Sequence, residues 1–190
     1  MPHSPIGRRV VIVGAPGAGK SHLARELGRL IGVAPVHLDR LFASPSVGNQ
    51  PRAEWEAAMR DLIAGPMWIV DGHYSTTLPL RIGAADTVVL LDVPVWRCLW
   101  RVCRRQGTPR PDWPPDVPER RDAAFVGLLR DIARDHRSVV DEVYRVFAEK
   151  ASGGAVLVHL AGTRAQRRFL RAVERGTRSL APQAPVIPEP

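Results

Sequence analysis

The sequence predicts an α/β fold of three layers around a five-stranded parallel sheet with a small helical lid. Two observations lead there. Five short runs rich in Val, Ile and Leu recur along the chain, continuous rather than alternating, as strands covered on both faces read. Between them lie stretches whose apolar residues fall at helical spacing. The chain has 190 residues, 45% hydrophobic and 24% charged, enough for one core. We expect a single domain over 1–175, with the lid at about 105–137 and a disordered proline-rich tail over 176–190.

The first strand is Arg8 to Gly14, followed by a helix from Lys20 to Ile31 with Leu23, Leu27, Leu30 and Ile31 in phase. Val36 to Asp39 is the second strand. Residues 42 to 52 read as loop, and a helix starts near Pro51, runs through Trp55, Met59, Leu62 and Ile63, and stops at Gly65-Pro66. Met67 to Gly72 is the third strand and Thr87 to Val93 the fourth, with a helix from about Val95 to Gln106 behind it. Residues 107 to 118 are too proline-rich for regular structure. Two helical stretches fill Glu119 to Lys150, with a boundary near His136. Ala155 to Ala161 is the fifth strand, Gly162-Thr163-Arg164 a turn, and Gln166 to Glu174 the last helix.

Cys98 and Cys103 are the two cysteines, too few for a disulfide framework and without zinc-ligand spacing, which suits a reducing cytoplasm. No segment reaches the roughly 20 apolar residues that span a bilayer. Lys and Arg total 27 against 19 Asp and Glu, a net charge of +8, which points to polyanionic partners. The cations are arginines except Lys20 and Lys150, so the lysine at position 20 stands out.

Lys20 closes the segment Gly14-Ala15-Pro16-Gly17-Ala18-Gly19-Lys20-Ser21, the phosphate-binding pattern G-x-x-x-x-G-K-[ST] between a strand and a helix. Chance gives that pattern roughly once in a thousand chains of this composition. Its glycines let backbone N–H groups turn inward on phosphate oxygens at a helix N-terminus. Lys20 supplies a flexible point charge for the β- and γ-phosphates, and Ser21 a hydroxyl for Mg²⁺. The nucleotide set is Gly14 to Ser21 with His22.

Acids end three of the expected strands: Asp39, Asp71 and Asp92. Ligands of open parallel sheets bind beyond those strand ends. Asp71 is the better Mg²⁺ partner for Ser21, and Asp39 the candidate to orient or deprotonate an acceptor hydroxyl. In the helix after strand four, Arg97, Arg101 and Arg105 share a stripe, and the last two are candidates to neutralise a transferring phosphoryl group. Trp96 and Trp100 are expected in core or lid packing.

These motifs resemble, in order, those of the adenylate-kinase-like P-loop kinases, of P-loop NTPase fold. The loop comes first, then Ile69-Val70-Asp71-Gly72, then Asp92-Val93-Pro94 with Arg101 and Arg105 at the spacing of that family's nucleotide-clamping arginines. Gly162-Thr163-Arg164 is similar to the turn that passes over the adenine ring. The sequence is more similar still to the bacterial group known as DNA topology modulation protein, FlaR-like. It shares His37-Leu38-Asp39, Trp68 to Ser75, Leu80-Arg81 and Arg110-Pro111-Asp112 with that group. Where adenylate kinases follow Asp-Gly with Phe-Pro-Arg to grip the acceptor's phosphate, this chain has Asp71-Gly72-His73-Tyr74-Ser75, with Arg81 the candidate substitute. The layout is equally similar to shikimate and gluconate kinases, in which a strand-two acid contacts an acceptor hydroxyl. The resemblance implies an enzyme that binds ATP and Mg²⁺ and phosphorylates a small molecule, a nucleotide, nucleoside or polyol, with Asp39, Asp71, Gly72, His73 and Arg81 around the acceptor. The rival class is a nucleotide-dependent nucleic-acid-binding regulator. It draws on the net charge and on Arg164, Arg167, Arg168, Arg171 and Arg175 of the last helix, against the absence of standard DNA-binding motifs.

Overall fold

A computed structural model of the protein describes residues 6–43, 51–106, 108 and 123–180. The proline-rich stretch from 109 to 118, the larger part of the loop expected at 42 to 52, and the tail from 181 lie outside these residues. Five strands form one parallel sheet: β1 (Arg9–Gly14), β2 (Pro35–His37), β3 (Trp68–Asp71), β4 (Thr87–Asp92) and β5 (Val156–Ala161), ordered β2-β3-β1-β4-β5. The helices are α1 (Lys20–Ile31), α2 (Leu38–Ala43), α3 (Arg52–Ile63), α4 (Leu78–Ala84), α5 (Val95–Arg105), α6 (Ala123–Lys150) and α7 (Gly162–Leu180).

Alternate residues of β1 point to opposite faces of the sheet, and both faces are covered. Val10 and Ile12 join Leu23 and Leu27 of α1, Cys98 and Val102 of α5, and Val173 of α7. Val11 and Val13 join Trp55 and Met59 of α3, Leu78 and Ile82 of α4, and Val143 and Val146 of α6. Each of these four β1 side chains is fully buried, contributing about 1.5–3 kcal/mol apiece. With β1 flanked by β3 and β4, the chain segments leaving all three strands meet at one end of the sheet, where an open parallel sheet binds its ligand. Ile12 pairs with Asp71 and Gly14 with Leu91, so this register sets the glycine-rich loop beside the end of β3.

The elements depart from the sequence pattern in four places. β2 stops at His37, and Asp39 falls in the first turn of α2, where unsatisfied N–H groups favour an acid. α4 occupies a stretch whose pattern predicts no element, and its proline sits in the first turn, the position a helix tolerates. The two stretches expected between Glu119 and Lys150 are one helix from Ala123, and His136 does not break it: its Nε2 lies 2.6 Å from the Val93 carbonyl. Last, Gly162-Thr163-Arg164 is the opening turn of α7 rather than a separate turn. Gly162 takes φ +77°, which a side chain resists, so the chain bends out of β5 straight into the helix. α7 then runs to Leu180, past the tail boundary expected at 176. Among the described residues no helix is long and apolar enough to cross a membrane.

Candidate active site

The loop from Gly14 to Ser21 leaves the end of β1 and becomes α1. No side chain caps that helix and its first turn carries no acid, an arrangement that suits an anion at the helix N-terminus. Lys20 is buried at 8% exposure, its Nζ donating to the carbonyls of Gly14 (3.1 Å) and Ala15 (3.3 Å). Gly17 takes φ +82°, and a Cβ there would lie 2.4 Å from the Cys98 carbonyl oxygen, so the loop packs directly on the backbone of α5.

Arg101 fastens the outside of the loop. Its Nη1 donates to the carbonyls of Gly17 and Ala18, both at 3.2 Å, and its Nη2 to Thr163 Oγ1 at 3.0 Å. Two cavities lie on either side of it. One, of about 240 Å³, brings together Pro16, Gly17, Gly19, Lys20, Ser21, His22, Arg25, Asp39, Arg101 and Arg105. The other, of about 370 Å³, is lined by Gly19, His22, Leu23, Arg101, Thr163, Gln166, Arg167 and Leu170. The first cavity therefore holds four cations and a single acid, the balance a polyphosphate demands. The second adds apolar walls from Leu23 and Leu170 to polar groups from Thr163 and Gln166, a surface for a flat heterocycle. Of the turn residues expected there, Thr163 lines the cavity and Gly162 and Arg164 do not.

Ser21 Oγ donates to Asp71 Oδ1 at 3.3 Å, and Asp71 is wholly buried. Its other oxygen, Oδ2, lies 2.5 Å from His37 Nδ1, so the imidazole fixes the carboxylate from behind. A hydroxyl beside a carboxylate suits Mg²⁺, a hard cation that takes few protein oxygens and completes its shell with phosphate and water. Asp92 is held elsewhere, 3.1 Å from His159 Nε2.

Asp39 stands in the wall of the same cavity as Lys20 and Ser21. The hydroxyl of Tyr74 hydrogen-bonds its carboxylate, and the Tyr74 pKa is pushed up by burial first and by the negative charge of Asp39 second. His73 Nε2 lies 2.8 Å from Glu142 Oε2, and Ser75 Oγ donates to the same oxygen at 3.0 Å. Burial holds the His73 pKa below its ordinary value, outweighing the Glu142 carboxylate. The ring is then neutral at pH 7, with Nε2–H donating to Glu142.

Arg81 does not sit where an acceptor-gripping arginine would. It is completely buried, and its guanidinium donates to three successive carbonyls, those of Gly72 (2.7 Å), His73 and Tyr74 (3.1 Å). Burial pushes its pKa down to about 9, which leaves it charged at neutral pH. It holds the chain after β3 rather than facing solvent. Trp96 and Trp100, expected to pack inward, are instead 61% and 54% exposed, with Arg97 and Arg104 over their rings.

Three residues that the sequence pattern gave no role stand in or beside the site: His37, Glu142 and Gln166. Gln166 carried a usable signal, a neutral amide in a helix face otherwise written in arginine and apolar residues; it is buried and its Nε2 reaches the Ala18 carbonyl at 3.4 Å.

A parallel sheet of this order with a phosphate-binding loop closing β1 is the fold of P-loop NTPases of the kinase type. The chain is 31% identical over 167 residues to a shikimate kinase of Halorhodospira halophila, a match spanning 80% of this chain and 91% of that protein. No protein-family model matches it. The chain belongs to the family of P-loop kinases that this shikimate kinase represents.

Proposed function

We propose that the protein transfers the γ-phosphoryl group of Mg-ATP to a hydroxyl of a small acceptor. The observation that carries this reading is the convergence of Lys20, Ser21, Arg101, Arg105 and Asp39 on a single cavity, drawn from α1, α2 and α5. The loop N–H groups and the α1 N-terminus bind the phosphates, and Lys20 swings from its two carbonyl partners to the β- and γ-oxygens. Arg101 and Arg105 stabilise charge on the group in flight. Thr163, Gln166 and Leu170 receive the adenine. Ser21 and Asp71 would hold Mg²⁺, which would supply positive charge to offset that of the phosphates. Asp39 orients the acceptor hydroxyl. Catalysis of this kind is positioning and electrostatics more than covalent chemistry.

For the acceptor we favour a polyol, the class to which the substrate of the matched shikimate kinase belongs. A nucleoside monophosphate needs a cation gripping its own phosphate, and the residue expected to provide it, Arg81, has no exposed surface. Two cysteines outside any disulfide, Cys98 and Cys103, suit a cytoplasmic setting. The test is ADP release from Mg-ATP across polyols, sugar acids, nucleosides and nucleoside monophosphates. The Lys20→Ala variant serves as blank and is expected to lose at least a hundredfold in rate. Acceptor-independent release equal to that of Lys20→Ala across the whole panel would refute the proposal.

A further inference from the structure

Tyr74 is, among the described residues, the one non-glycine side chain carried at positive φ, +39°. A tyrosine resists that conformation, and a glycine at the same place would remove the strain. The structure nevertheless over-determines it. The Arg81 guanidinium takes the Tyr74 carbonyl together with the two carbonyls before it. Its ring meets Trp55 edge-on at 6.2 Å. This hold fixes where the hydroxyl goes, and it goes to the Asp39 carboxylate in the wall of the cavity that contains Lys20. Strain kept in place by a buried cation, at a residue whose polar tip touches the acceptor-side acid, belongs to a site and not to a loop.

We infer that Tyr74 is the positioning residue of the acceptor site: its hydroxyl occupies one side of the Asp39 carboxylate and fixes that group's orientation for the acceptor hydroxyl. This rests on the kinase reading and assigns a residue within it. Tyr74 acts through Asp39. With the donated hydrogen bond in place, the carboxylate is held in one rotamer. The acceptor meets a pre-set oxygen instead of a freely rotating group, which is how a residue remote from the reacting bond raises the rate.

Tyr74→Phe is the test, because it keeps the ring against Trp55 and removes one oxygen. The first readout needs no acceptor: the Asp39 carboxyl carbon is followed by NMR at pH 7 in the parent protein and in Tyr74→Phe, with Asp39→Asn assigning the signal. We expect the Asp39 carboxyl signal to move in Tyr74→Phe, as the carboxylate loses its donor and samples more than one rotamer, with Mg-ATP affinity unchanged. An unmoved signal overturns the inference, whatever the acceptor is. The second readout, on any acceptor that turns over, is a loss of about tenfold to a hundredfold in kcat/KM for the acceptor with KM for ATP unchanged. An acceptor kcat/KM within twofold of the parent overturns it as well. Failure of the kinase reading shows separately, as ADP release no faster than that of Lys20→Ala, and leaves the Asp39 carboxyl signal to decide the role of Tyr74.

Discussion

Replacing Arg81 by methionine separates a strap from a ligand. Methionine is unbranched and fills much of the same volume, so the change removes chiefly the guanidinium. Three buried carbonyls, of Gly72, His73 and Tyr74, then lose their charged donor. Each hydrogen bond to a charged group is worth roughly 1.5–3 kcal/mol before the cost of burying the charge is set against it. That cost is visible in the Arg81 pKa, pushed down to about 9. The Nε group adds to it, being buried with no hydrogen-bond partner among the described residues. The net loss on breaking the arrangement is then about 2–4 kcal/mol, because the carbonyls stay buried after the cation has gone. For a chain of this length that lowers Tm by roughly 5–15 °C. Arg81→Lys retains the charge but replaces a planar fork by a single ammonium, and is expected between the two. The assay is thermal unfolding by circular dichroism at pH 7, with acceptor and ATP kinetics at 25 °C alongside. Should Arg81→Met melt within about 2 °C of the parent and raise only the acceptor KM, the arginine contacts the acceptor, as the sequence alone suggests, and the strap is wrong.

Two further outcomes follow from the geometry. Gly17→Ala puts a Cβ 2.4 Å from the Cys98 carbonyl at φ +82°. Since backbone faces backbone there, the loop must lift from α5, costing about 2–4 kcal/mol and weakening ATP binding at least tenfold, as read by unfolding and equilibrium dialysis. Asp86 accepts from Arg9 Nε and Nη2 at 3.0 and 2.6 Å and from the backbone N–H groups of Arg8 and Arg9, so its carboxyl is held below the usual carboxylate range, the Arg9 hydrogen bond being the largest cause. A depressed folded-state pKa gives stability that is present above the ordinary carboxylate value and lost as pH falls through the folded one. Asp86→Asn is therefore expected to cost about 1 kcal/mol at pH 7. The gap in Tm between parent and variant should close as pH falls below the ordinary carboxylate value and through the lowered one of Asp86; a gap that stays constant through that fall contradicts the assignment.

The two lines that the sequence made legible are those written in local chemistry. Glycine, lysine and serine at fixed offsets state a phosphate loop wherever a strand meets a helix, and the structure forms it at Gly14 to Ser21. Apolar runs state strands, and all five are in the sheet. What stayed hidden depends on partners far along the chain. Arg97, Arg101 and Arg105 look equivalent at four-residue spacing, but each step of four overshoots a full turn by about 40°. The stripe therefore drifts: Arg101 and Arg105 reach the cavity while Arg97 lies over Trp96. Arg81 is the harder case. In a chain that uses arginine for nearly every surface cation, nothing local distinguishes the one whose side chain lies fully inside, because its burial follows from α4 packing beneath the turn after β3. The same packing holds Tyr74 at a φ that no sequence pattern announces. A lysine at position 20 was conspicuous because lysine is rare here; an arginine at position 81 was invisible because arginine is common. Composition thus exposes the lysine of the glycine-rich loop and conceals the arginine that holds the turn after β3, so that turn is where structure adds most to the sequence.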